Sequence, residues 1–73
     1  MPAQTLARHA PERLAAARRR VGLTQKQLAD RLGINRVSIA RIEAGTRKPS
    51  MTLALRLSEV LGESVEALFG GGR

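Results

Sequence analysis

Arg36, Val37, Ala40 and Arg41 are spaced one, three and four residues apart. At about 100° per residue this gathers them on one side of a helix, with Ile39 and Ile42 opposite and Asn35, Ser38 and Glu43 at the edges. The chemistry open to such a face is recognition. A guanidinium fork pairs bidentately with a planar anion or with the acceptors of a guanine edge, and a valine or alanine lies against a methyl group.

Other chemistries lack their parts. His9 is the single histidine and the chain has no cysteine, so neither a metal centre, a disulfide nor a nucleophile with its base can be assembled. Glu59, Glu63 and Glu66 have no base or ligand beside them in the sequence and read as a solvated rim. There is no phosphate-binding glycine loop, dinucleotide fingerprint or zinc spacing. The chain is therefore expected to be no enzyme, to need no cofactor and to bind no small molecule. No apolar run approaches the ~18 residues of a membrane span, and the N-terminus lacks the apolar core of a signal peptide, so a cytoplasmic protein without membrane contact is expected.

The helix carrying Arg36 and Arg41 needs elements to hold it. Ahead of it, Thr24 and Gln27 have the spacing of a capping box, and Leu23 and Leu28 that of a hydrophobic staple. Leu28, Leu32, Ile34, Ile39 and Ile42 supply apolar positions on both sides of Gly33, which predicts two short helices joined by a glycine corner, with Asn35 capping the second. Upstream, Pro11 and Glu12 suit the start of a helix running to about Val21 and closed by Gly22, its inward stripe formed by Leu14, Ala17 and Val21. Arg18 falls on that stripe. It either snorkels to water beside Arg19 and Arg20 or finds a carboxylate, and Glu43 is the candidate that its apolar setting favours.

Downstream, Ala44 to Pro49 reads as a polar loop, Ser50 caps a helix to about Leu61, and Ser64 caps a short last helix holding Val65, Leu68 and Phe69. Lys26 and Asp30 are placed for an i,i+4 pair on a solvated face. The expected organisation is a flexible segment over residues 1–10, one domain over residues 11–69 and a flexible glycine tail over residues 70–73. A frayed N-terminus is the simpler reading of the first segment, with Arg8 as a minor-groove arm the alternative.

Charge is unevenly divided. Residues 1–48 hold eleven basic residues against Glu12, Asp30 and Glu43, giving +8, whereas residues 49–73 hold two against three acids, giving −1. A polyanion is the expected partner of the front of the molecule. A chain of 73 residues buries only about 60% of its unfolded surface, which leaves modest stability unless copies associate.

Taken together, Gln25, Ala29, Gly33, Ile34, Ile39 and Ile42, with Gly22-Leu23-Thr24-Gln25 before them and the run Arg41 to Ser50 after, resemble the helix-turn-helix DNA-binding domains of the Cro and phage-repressor type. The resemblance extends from about Leu14 to Phe69. It implies an all-α, five-helix lambda-repressor-like domain that docks on double-stranded DNA. Arg36, Val37, Ala40 and Arg41 would then read bases, while Thr24, Gln25, Asn35, Ser38, Arg47 and Lys48 would hold phosphates. The resemblance also supports the Arg18–Glu43 pair and gives the glutamine a further way of acting, as a brace for a side chain of the reading helix.

The function so implied is a sequence-specific regulator, a repressor, that binds a two-fold symmetric operator as a homodimer. Leu61, Val65, Leu68 and Phe69 are the expected dimer interface. The rival expectation is a protein-interaction module on the same fold, an antitoxin or adaptor for which DNA is secondary.

Overall fold

The computed structural model describes residues 12–70. The N-terminal segment with Arg8 and His9, the proline at position 11 and the last three residues lie outside it. Five helices follow one another: α1 (Glu12–Arg20), α2 (Gln25–Leu32), α3 (Arg36–Ala44), α4 (Met51–Leu61) and α5 (Val65–Phe69).

Local chemistry starts and stops them. Thr24 Oγ accepts the Gln27 N–H and Gln27 Oε1 accepts the Thr24 N–H, so α2 opens with a complete capping box. Asn35, Ser50 and Ser64 cap α3, α4 and α5 with their side-chain oxygens alone, each accepting an N–H of the first helical turn. Between α2 and α3 the chain must turn sharply. Gly33 does so at φ +70°, in the left-handed region where a side chain is disfavoured, and its N–H closes onto α2 carbonyls.

One apolar core joins all five helices. Leu14, Ala17, Leu28, Ala29, Leu32, Ile39, Ile42, Leu57, Leu61 and Leu68 form it, with Leu23, Ile34, Leu53, Val60 and Phe69 packed around its edge. Each fully buried leucine or isoleucine contributes roughly 1.5–3 kcal/mol relative to an exposed one. Ala29 is 1% exposed where α2 lies against α3, and its small side chain allows that approach.

Four expectations need correction. Val21 is 46% exposed and not part of the inward stripe, because α1 ends at Arg20 and the turn through Val21 and Gly22 takes the residue out of helical register. Ala44 belongs to α3, so the polar loop starts one residue later, at Gly45. Glu63 is more than a solvated rim residue, since it accepts hydrogen bonds from Arg20 and so links the end of α1 to the α4–α5 corner. Leu61 and Leu68 cannot form a dimer interface: they are 3% and 1% exposed within the single chain, where α5 closes the core against α1 and α4. Val65 and Phe69 are half-buried.

Candidate nucleic-acid interface

α3 divides cleanly into two faces. Ile39 and Ile42 are 0% and 1% exposed beneath it, while Arg36, Val37 and Arg41 face solvent. Val37 is 41% exposed, a large apolar side chain left uncovered between two guanidinium groups. Ala40 is half-buried at the margin of the same face. The four residues expected to read bases thus lie together on the side of α3 away from the core.

Around them stand the groups expected to hold phosphates. Arg47 and Lys48 are exposed in the loop after α3, and Arg47 Nη1 donates to Ser38 Oγ at 3.0 Å, which draws the loop arginine toward the edge of the outer face. Asn35 uses its side-chain oxygen to cap the Val37 N–H at 2.8 Å, leaving its NH2 group for another acceptor. Thr24 Oγ is likewise engaged as an acceptor, with its hydroxyl hydrogen still to donate.

Gln25 takes a position that composition and spacing do not reveal. Instead of reaching outward to a phosphate, its side chain lies half-buried between two charged groups: Nε2 donates to Glu43 Oε1 at 3.0 Å, and Oε1 accepts from Arg36 Nη1 at 3.1 Å. What α2 offers an anion at this point is backbone, because the first N–H groups of a helix have no intrahelical partner and the helix dipole adds to their pull.

Glu43 is itself clamped. Arg18 donates to it twice, from Nε at 2.6 Å and from Nη2 at 3.2 Å, and uses Nη1 on the Leu23 carbonyl at 2.8 Å. With side chains 10% and 7% exposed, this is a buried bidentate pair. It ties α1 to α3 behind the outer face of α3.

A cationic groove lies at the α1–α2 corner. Arg19 and Lys26 line it together with Thr24, Gln25 and Arg36. Lys26 also makes the expected pair with Asp30 at 3.1 Å, both ends largely exposed, a contact of about 0.3–0.5 kcal/mol. In the sequence Arg19 is only one of three consecutive arginines. The signal that could have found it is the end of α1, which leaves Arg18 facing the core while Arg19 stands out beside the start of α2. No group of three or more histidine, cysteine or carboxylate side chains able to hold a metal occurs among the described residues. None of their helices is long and apolar enough to cross a membrane.

Comparison with known proteins agrees with this geometry. A family model described as helix-turn-helix matches residues 14–68. An uncharacterized HTH-type transcriptional regulator of Methanothermobacter thermautotrophicus is 43% identical over 53 residues, which is 71% of this chain and 77% of that protein. A second, from Archaeoglobus fulgidus, is 35% identical over 57 residues, 78% of this chain and 81% of the relative. The cryptic phage CTXphi transcriptional repressor RstR of Vibrio cholerae is 36% identical over 59 residues, covering 81% of this chain and 53% of the repressor.

Proposed function

The chain belongs to the helix-turn-helix family of DNA-binding transcriptional regulators, and from that premise we propose that it is a repressor binding a two-fold symmetric operator as a homodimer. In this reading α3 enters the major groove. Arg36 and Arg41 each make a bidentate contact with a guanine, Val37 lies against a thymine methyl, and Ala40 allows close approach. Arg47, Lys48, Ser38, Asn35, Thr24 and the backbone at Gln25 hold the flanking phosphates and fix the register.

The observation that carries the reading is the division of α3. Two isoleucines anchor it from beneath while two arginines and a valine stand uncovered on the other side. That combination offers the donors and the small apolar contact that base edges in a major groove accept.

The repressor assignment is supported by the phage relative, which bears that name. The dimer is supported by scale. One short helix offers few base contacts, and two copies with their reading helices about 34 Å apart would match one turn of DNA. Such a protein acts where the DNA is, in the cytoplasm and on the nucleoid.

Selection of bound duplexes from a random pool tests the proposal directly. The expected result is an enriched site with two-fold symmetry whose half-sites are one helical turn apart, together with a protein that sediments as a dimer. Enrichment of an asymmetric site by a monomer would overturn the dimer, and no enrichment at all would overturn specific recognition.

A further inference from the structure

We infer that Glu43, which stands away from the outer face of α3, is a positioning residue for base reading, acting through Gln25 on Arg36. The inference rests on the proposed role of Arg36 in the major groove.

The argument turns on the direction of each hydrogen bond. A carboxylate can only accept, so the Gln25 group within 3.0 Å of Glu43 Oε1 has to be the NH2 end of the amide. The other end is then an oxygen, which can only accept, and it faces Arg36 Nη1 at 3.1 Å. Reversing the amide would set oxygen against carboxylate and NH2 against guanidinium, two repulsive contacts in place of two attractive ones. Glu43 therefore dictates which way round Gln25 sits, and Gln25 in turn offers Arg36 an acceptor.

Glu43 can impose this because it cannot itself rotate away. Arg18 holds both of its oxygens, and Arg18 is held by the Leu23 carbonyl. From the Leu23 carbonyl through Arg18, Glu43 and Gln25 to Arg36, each group is fixed by the one before it. The series ends on one terminal nitrogen of Arg36, so the remaining N–H groups of that guanidinium point from an anchored base. An untethered arginine on an exposed helix samples many rotamers, several within reach of phosphates, and a phosphate contact carries no sequence information. The tether thus favours base over backbone for Arg36.

The test uses the full chain and a panel of operator duplexes, each changed at one base pair of the selected site, with far-UV circular dichroism to confirm folding. Arg36→Ala identifies the base pair read by Arg36. Gln25→Met, similar in length but without donor or acceptor, is expected to flatten preference at that same base pair by about tenfold, within the range of a lost bidentate contact, and to leave the other positions alone. Arg18→Met with Glu43→Leu removes the carboxylate that orients Gln25 without leaving a buried charge unpaired, and is expected to flatten preference at the same base pair.

A uniform loss over the whole panel for Gln25→Met, or an unchanged preference, would overturn the inference while leaving the role of Arg36 intact. A folded Arg18→Met, Glu43→Leu variant that keeps the preference at that base pair would overturn the part assigned to Glu43. If Arg36→Ala itself alters no single base pair, the reading assigned to α3 fails and the inference falls with it.

Discussion

Removing the charge of Arg18 while keeping its apolar stem, as Arg18→Met, would leave Glu43 as a carboxylate with 7% side-chain exposure and the Gln25 amide as its remaining hydrogen-bond donor. Breaking one side of a buried pair costs about 3–5 kcal/mol, because the surviving charge stays desolvated. A domain of this size has roughly 4–11 kcal/mol in total, so the substitution removes a large share of it. At about 4–8 °C per kcal/mol the melting temperature falls by at least about 12 °C. Taking away the second charge as well should reverse most of this. In Arg18→Met with Glu43→Leu no ion remains buried, and such replacements are typically neutral or stabilising by about 1–4 kcal/mol.

Thermal and urea unfolding followed by circular dichroism measure both variants, since the chain has no tryptophan or tyrosine to report by fluorescence. The expected cycle has a large loss for the single variant and recovery for the double. If Arg18→Met costs under about 1 kcal/mol, or if the double variant is as unstable as the two single losses added, the carboxylate is not held as described. The double variant also separates stability from recognition, because it keeps the fold while Gln25 has lost the group that orients it.

Three further expectations follow from particular positions. Gly33→Ala meets no atom within 4 Å of the added carbon, so its cost is confined to the left-handed backbone, about 1–2 kcal/mol by urea unfolding; a loss below about 0.5 kcal/mol would mean the corner relaxes. Leu68→Ala should destabilise each chain by about 2–5 kcal/mol without shifting a monomer–dimer equilibrium measured by sedimentation under folding conditions, and dissociation of a still-stable fold would return Leu68 to an interface. Lys48→Ala should weaken binding to every duplex alike and reduce the slope of log affinity against log salt by about one, whereas a change confined to one base pair would make Lys48 a reader instead of a clamp.

What could be read from the sequence was what is decided locally. Thr24 with Gln27, and Asn35, Ser50 and Ser64, name their helices because a cap acts on N–H groups two or three residues away. The two faces of α3 were legible for the same reason, since helical periodicity alone separates Arg36 and Arg41 from Ile39 and Ile42. The errors lie where a residue's fate depends on distant chain. Apolarity showed that Leu61 and Leu68 would be buried but not whether against their own helices or a second copy. Val21 fitted the stripe only as long as α1 continued. Glu63 meets Arg20 across 43 residues, and Gln25 meets Glu43 across 18, neither separation having a periodic signature. The resemblance supplied the bracing role of the glutamine, but the sense of its amide becomes visible only once Glu43 is in place.

Because the two sides of α3 answer to different demands, the sequence on one can be rewritten without disturbing the other. The isoleucines hold the helix whatever stands at 36, 37 and 41, so on the proposed reading a change of DNA target needs substitutions only at water-facing positions that add little to melting stability. Gln25 sets the boundary of that freedom. With Glu43 orienting that amide as inferred above, position 36 would be drawn toward side chains that can donate, and drift of the proposed DNA target would be steered toward bases that donors can read.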